Sequence, residues 1–89
     1  MNKVIELKTW PEYYQDLNRG KNFEVRKDDR DFKIGDFLVL KEWVPEREVY
    51  TGNKMVYVIL FILRNKPELG LKPGYCVLGI DKIRGMYTE

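Results

Sequence analysis

The chain has 89 residues, 44% hydrophobic and 34% charged, with 16 basic residues against 14 acidic ones. That balance describes one folded domain, residues 1–89, and excludes a disordered chain; a formal charge of +2 permits contact with nucleic acid without pointing to it. Histidine is absent and Cys76 is the single cysteine, which excludes imidazole catalysis, Ser-His or Cys-His nucleophile pairs and an intrachain disulfide; no metal or cofactor is expected.

The opening residues MNKVIELK hold no long apolar stretch and no cleavage site, so they do not read as a signal peptide. The most apolar run, Met55 to Leu63, is about half of the roughly 20 residues a membrane-spanning helix needs. No membrane contact and a cytoplasmic location are expected. Six Tyr, four Phe and two Trp supply large buried areas to a domain small enough that its core must be efficient.

In chain order, Val4 to Lys8 predicts a first strand, with Ile5 and Leu7 on one face. A helix follows from about Trp10 to Arg19. Thr9 and Glu12 have the spacing of a capping box, Pro11 sits in the first turn, and Trp10, Tyr13, Tyr14 and Leu17 form one apolar face. Gly20 supplies the stop. Asn22 to Lys27 alternates, with Phe23 and Val25 facing one way and Asn22, Glu24 and Arg26 the other. Lys27 to Asp31 is a polar turn and Ile34-Gly35-Asp36 a second. Phe37 to Val44 is a strand that Pro45 ends. Tyr50-Thr51-Gly52-Asn53 has the composition of a hairpin turn. Lys54 to Arg64 is apolar on both faces, as a central strand is, and Asn65 to Gly74 is a loop before a last strand at Tyr75 to Ile80. The expectation is a mainly β fold with one helix, in the order β-α-β-β-β-β: a small barrel with the helix over one end.

The stretch GKNFEVRKDDRDFKIGD, Gly20 to Asp36, resembles the Gly-x-Lys-x-x-Glu-x-Arg element and Gly-Asp turn of ASCH domains in the PUA-like superfamily. IELKTWPEYY at the front, YTG at Tyr50 to Gly52 and LGLKPGYCVLGI at Leu69 to Ile80 are similar to an uncharacterised bacterial and phage subgroup of that family, so the resemblance covers nearly the whole chain. It implies a PUA-like β-barrel with a cleft between helix and barrel, bordered by Lys21, Glu24 and Arg26, and an RNA or nucleotide-like ligand. A few small relatives resemble amidohydrolases that deacylate a modified cytidine with a Lys, a Thr and a Glu. This chain has Glu24 where that Thr stands, and its glycine is Gly20 where the pattern places one at Arg19.

Glu24 and Arg26, two apart on a strand, project from one face about 6–7 Å apart. Two readings stay open: a site that presents the guanidinium to phosphate or a base edge with the carboxylate orienting it, or an ion pair on the wet face of a strand, worth about 0–1 kcal/mol. Lys21 either favours the last carbonyls of the helix or reaches into the cleft. Asp28, Asp29 and Asp31 lack the glycine and glutamate of a calcium loop and read as a solvated turn, which Arg30 stabilises by pairing with one of them. Trp43 and Tyr50 flank the excursion Pro45 to Val49 and either stack a base or cap the core. Lys72 and Tyr75 are candidates for the far wall of the cleft, and Cys76 is expected to be inert core. Basic residues outnumber acidic ones six to four over residues 19–33 and five to two over residues 64–84, a modest positive edge that suits a short single strand or structured RNA.

The candidate binding set is therefore Lys21, Asn22, Glu24, Arg26, Arg30, Trp43, Tyr50, Lys72 and Tyr75. The leading expectation is an RNA- or nucleotide-binding module rather than an enzyme. The alternatives are an amidohydrolase on an acylated nucleoside such as acetylcytidine, with Lys21 and Glu24 as its working groups, and a protein-interaction accessory domain.

Overall fold

The computed structural model describes residues 2–84. Its elements are β1 (Val4–Thr9), α1 (Pro11–Asn18), β2 (Phe23–Lys27), β3 (Phe37–Val44), β4 (Val49–Arg64) and β5 (Tyr75–Lys82), with a 3-10 turn at Pro67–Leu69 in the last loop. The strands form one sheet in the order β1-β3-β4-β5-β2, with β1 parallel to β3 and the other pairs antiparallel. This sheet curls into a half-barrel. At 16 residues, β4 is long enough to pair with β3 through its first part and with β5 through its second, and so carries the bend.

The core follows from strand alternation. Ile5, Leu38, Leu40, Ile59, Leu78 and Ile80 point to one side of the sheet, where Tyr14 and Leu17 of α1 and Phe32 cover them. With eight residues in α1, one apolar stripe has room for little more, and Trp10 and Tyr13 remain exposed. Burial pushes the Tyr14 phenol up to about 12, with the nearby Glu42 carboxylate adding to it.

Three expectations about local structure are corrected. Thr9 and Glu12 do not form a capping box: the N-cap is Trp10, without a side-chain hydrogen bond, because Thr9 still belongs to β1 and its hydroxyl accepts from Arg26. The β3–β4 turn is at residues 45–48, where Glu48 takes φ 52°, and not at Tyr50 to Asn53. The latter lies inside β4 as a bulge: Lys41 pairs with Lys54 and Trp43 with Tyr50, so 51–53 stand opposite Glu42 alone, with Gly52 at φ 99°. The bulge turns Thr51 Oγ1 and Asn53 Nδ2 to donate to the buried Glu42 Oε1 at 2.8 and 2.9 Å. Third, Arg30 pairs with none of the neighbouring aspartates and reaches across to the backbone of β1. Asp28 instead accepts both Nε and Nη2 of Arg64, at 2.6 and 3.1 Å, and Asp31 pairs with Lys33.

The open sides of the half-barrel are the free edges of β1 and β2. Phe37 donates to the Lys3 carbonyl, so alternate β1 residues bond to β3, and Val4, Glu6 and Lys8 turn their backbone groups outward. Among the described residues, no strand lies between the two edges, and Arg26 and Arg30 span the gap. Arg26 Nη1 donates to the Lys8 carbonyl at 3.0 Å, and Arg30 Nη2 to the Glu6 carbonyl at 2.7 Å. Among the described residues, no helix is long and apolar enough to cross a membrane.

Candidate functional site

β2 is inverted relative to a simple amphipathic strand. Phe23 and Val25 are 45% and 54% exposed on the outer face, while Glu24 is 3% exposed on the inner face, beside Leu78 of β5. The ion pair between Glu24 and Arg26 is present, but on the inner face of the strand and not on a wet one. A carboxylate this far from water needs charge and hydrogen bonds around it. Arg26 supplies both: Nε and Nη2 approach Glu24 Oε1 at 2.9 and 2.8 Å. The rest of that guanidinium is committed to Lys8 O and, through Nη2, to Thr9 Oγ1 at 3.1 Å. Glu24 Oε2 is different. Lys21 Nζ pairs with it at 3.2 Å, but off the direction of a hydrogen bond, and Oε2 accepts none among the described residues.

These groups line a cleft of about 600 Å³ between α1 and the β1 and β2 edges. Its charged and polar lining is Lys8, Thr9, Lys21, Glu24 and Arg26, and its aromatic lining is Trp10, Tyr13 and Tyr75. Trp10 and Tyr13 stack 6.0 Å apart at 26° on the exposed side of α1. Lys21 is placed by the helix stop: Gly20 takes φ 104°, the Lys21 N–H bonds back to Asp16 O, and the side chain is directed to Glu24 instead of the helix carbonyls. The carboxylate is felt across the core as well, where burial and then Glu24 raise the Tyr57 phenol above its ordinary value.

Lys21, Glu24, Arg26 and Tyr75 of the predicted set thus meet in one cleft, and Lys72 sits with its ammonium 5.7 Å from the Tyr75 ring centroid. Asn22 lies apart, on a smaller concavity near Leu17 and Ile80. Arg30 and Tyr50 line a neighbouring trough along β1. Trp43 packs edge-on against Tyr50, with centroids 4.8 Å apart, and carries the Lys8 ammonium 4.0 Å above its ring. Sequence reasoning missed Lys8, Thr9, Trp10 and Tyr13 as cleft residues. The available signal was the excess of aromatics on a two-turn helix, more than one stripe can bury. Among the described residues, no group of three or more His, Cys, Asp or Glu is placed to hold a metal ion. Cys76 is fully buried, and burial pushes its thiol up to about 11, so it is protonated at neutral pH.

The chain is similar to a protein of Escherichia phage P2, "Uncharacterized 12.9 kDa protein in GpA 3'region", at 41% identity over 56 residues. The match covers 62% of this chain and 50% of the relative, so the chain spans about half the length of the curated protein it matches. The family model "Domain of unknown function (DUF3850)" matches residues 4–80, from the start of β1 into β5 and across every element of the cleft, and the chain belongs to that family.

Proposed function

We propose that this domain binds a nucleotide or a short single-stranded segment of RNA in the cleft between α1 and β2. The observation that carries the reading is Glu24 Oε2, a buried acceptor without a hydrogen bond at the wall of that cleft. The Lys21 ammonium 3.2 Å away offsets its charge but leaves its acceptor position open, and a ligand donor fits that position. A base amino or ring N–H group is a donor of the right kind. Trp10, Tyr13 and Tyr75 offer faces on which a base stacks, and Lys8 and Lys21 offer charge to a phosphate. The guanidinium of Arg26 is taken up within the fold, so the ligand-facing part of the pair is the carboxylate.

The curled sheet and its cleft also agree with the sequence resemblance, and we take the domain as ASCH-like within the PUA-like superfamily. The same reading locates it in the cytosol, where a lone thiol stays reduced. Titration of the intrinsic tryptophan fluorescence with a varied RNA and nucleotide panel tests the proposal. Binding is expected to weaken as salt rises, and Lys21→Ala and Trp10→Ala are each expected to lower affinity about fivefold or more. Absence of salt-sensitive binding across the panel sinks the reading.

One observation favours a second reading. Thr9 brings a buried hydroxyl into the cleft with Lys21 and Glu24, so an amidohydrolase on an acylated nucleoside retains a Lys, a Thr and a Glu, with the Thr on β1. Lys21 would activate water or the substrate, and Glu24 would serve as acid and base. Chromatography of acetylcytidine incubated with the protein decides it: unchanged substrate removes the hydrolase.

A further inference from the structure

We infer that the cleft is one end of a longer track, and that its ligand is a single-stranded oligonucleotide whose next phosphate and base lie in the trough along the free edge of β1. The inference rests on the nucleotide reading of the cleft and extends it to a second site. The trough encloses about 660 Å³ between residues 3–8, Arg26, Arg30 and Tyr50, and it shares Lys8 and Arg26 with the cleft, so the two concavities adjoin.

Charge along the trough is unevenly satisfied. Lys3 is held by Asp36 at 2.8 Å, Arg26 by Glu24, and the one lining carboxylate, Glu6, pairs with Lys41 at 3.3 Å. Lys8 and Arg30 have no carboxylate partner among the described residues: Lys8 sits over the Trp43 ring, and Arg30 donates only to the Glu6 carbonyl. A guanidinium that bonds one backbone oxygen retains donors and full charge for a phosphate. Tyr50, exposed and with its ring braced edge-on by Trp43, lines the same trough on the Lys8 side.

The trough therefore adds to the aromatic cleft two cations without a carboxylate partner among the described residues and one exposed ring, the groups that a further phosphate and a further base require. From Val4 to Lys8 the edge runs about 13 Å at roughly 3.3 Å per residue. A paired duplex cannot place its bases in the cleft or on Tyr50, because they are stacked and hydrogen-bonded to a partner strand. An acidic peptide matches the cations but leaves both aromatic surfaces without a flat partner.

Fluorescence anisotropy with the full chain tests this, using a mononucleotide, a mixed-sequence single-stranded hexanucleotide and a glutamate-rich peptide at about 50 and about 200 mM salt. The hexanucleotide is expected to bind roughly tenfold more tightly than the mononucleotide. Arg30→Ala is expected to lower hexanucleotide affinity more than mononucleotide affinity and to reduce the salt slope by about one, and Arg30→Lys to restore that slope. Equal affinity for both nucleotides, equal losses in Arg30→Ala, or competition by the peptide as strong as by the hexanucleotide overturns the track and leaves the cleft reading standing. If neither nucleotide binds, both fall.

Discussion

Arg26 links two edge strands and neutralises a buried carboxylate with a single side chain. Its Nε and Nη2 meet Glu24 Oε1, and its remaining bonds go to Lys8 O and Thr9 Oγ1. Removing it leaves Glu24 charged, buried and near only to Lys21, the situation in which a buried pair is most costly to break. Arg26→Ala is therefore expected to destabilise the fold by about 2–4 kcal/mol, the lower part of the range applying because Arg26 is itself partly exposed. Adding Glu24→Gln to that variant removes the uncompensated charge and is expected to restore part of the loss. Urea unfolding of the single and double variants measures both, and a double variant less stable than Arg26→Ala contradicts the assignment. The sequence showed Glu24 and Arg26 sharing a face; that this face is the inner one depended on which side of the half-barrel β2 presents, a choice made by β5 and not by β2.

At the scale of elements, the segment from α1 to β2 is shaped by its exit turn. Gly20 adopts φ 104°, a backbone that side chains adopt only with strain, and a Cβ there would meet nothing within 4 Å. The cost of Gly20→Ala is thus purely conformational, about 1–2 kcal/mol, and thermal unfolding is expected to show Tm lower by ~4–8 °C per kcal/mol. A Tm within a degree of the parent excludes that account. The stop at Gly20 was legible in the sequence, because a glycine after an amphipathic run has a local cause. The Gly52 bulge was not. Its glycine reads as a hairpin turn until the register is known, and the register is set by Glu42 on the facing strand, which draws in Thr51 and Asn53. Likewise the spacing of Trp10, Tyr13, Tyr14 and Leu17 marked one apolar helix face, but which of the four are buried depends on where the sheet ends beneath them.

For the molecule as a whole, long-range carboxylate contacts tie the loops to the sheet. Asp28 is held below the ordinary 3.8 mainly by its hydrogen bond to Arg64, with the charge of that guanidinium adding to it. At Asp36, burial works to raise the pKa, but hydrogen bonds from the Lys3 ammonium and the Lys3 and Lys33 N–H groups outweigh it, and the net direction is down. A carboxylate whose folded pKa is depressed contributes stability that is complete above its unfolded value and is lost as pH falls through the folded one. Stability is accordingly expected to be level near neutrality and to decline as pH drops below about 4. Asp36→Asn is expected to flatten that decline while lowering stability at pH 7, and Tm measured from pH 2.5 to 7 checks it; an unchanged acid slope refutes the linkage. By itself the sequence determined the class of fold, the chain order of strands and helix, and the segment Gly20 to Asp36 as the place where polar chemistry concentrates. Each follows from local periodicity and turn residues. Only the tertiary structure decided that Glu24 is buried, that Thr9 and Trp10 join Lys21 around it, and that Arg26 and Arg30 bridge the open edges of the sheet. Those outcomes depend on strands distant in sequence meeting across a curved sheet, and no periodicity within one strand carries that information.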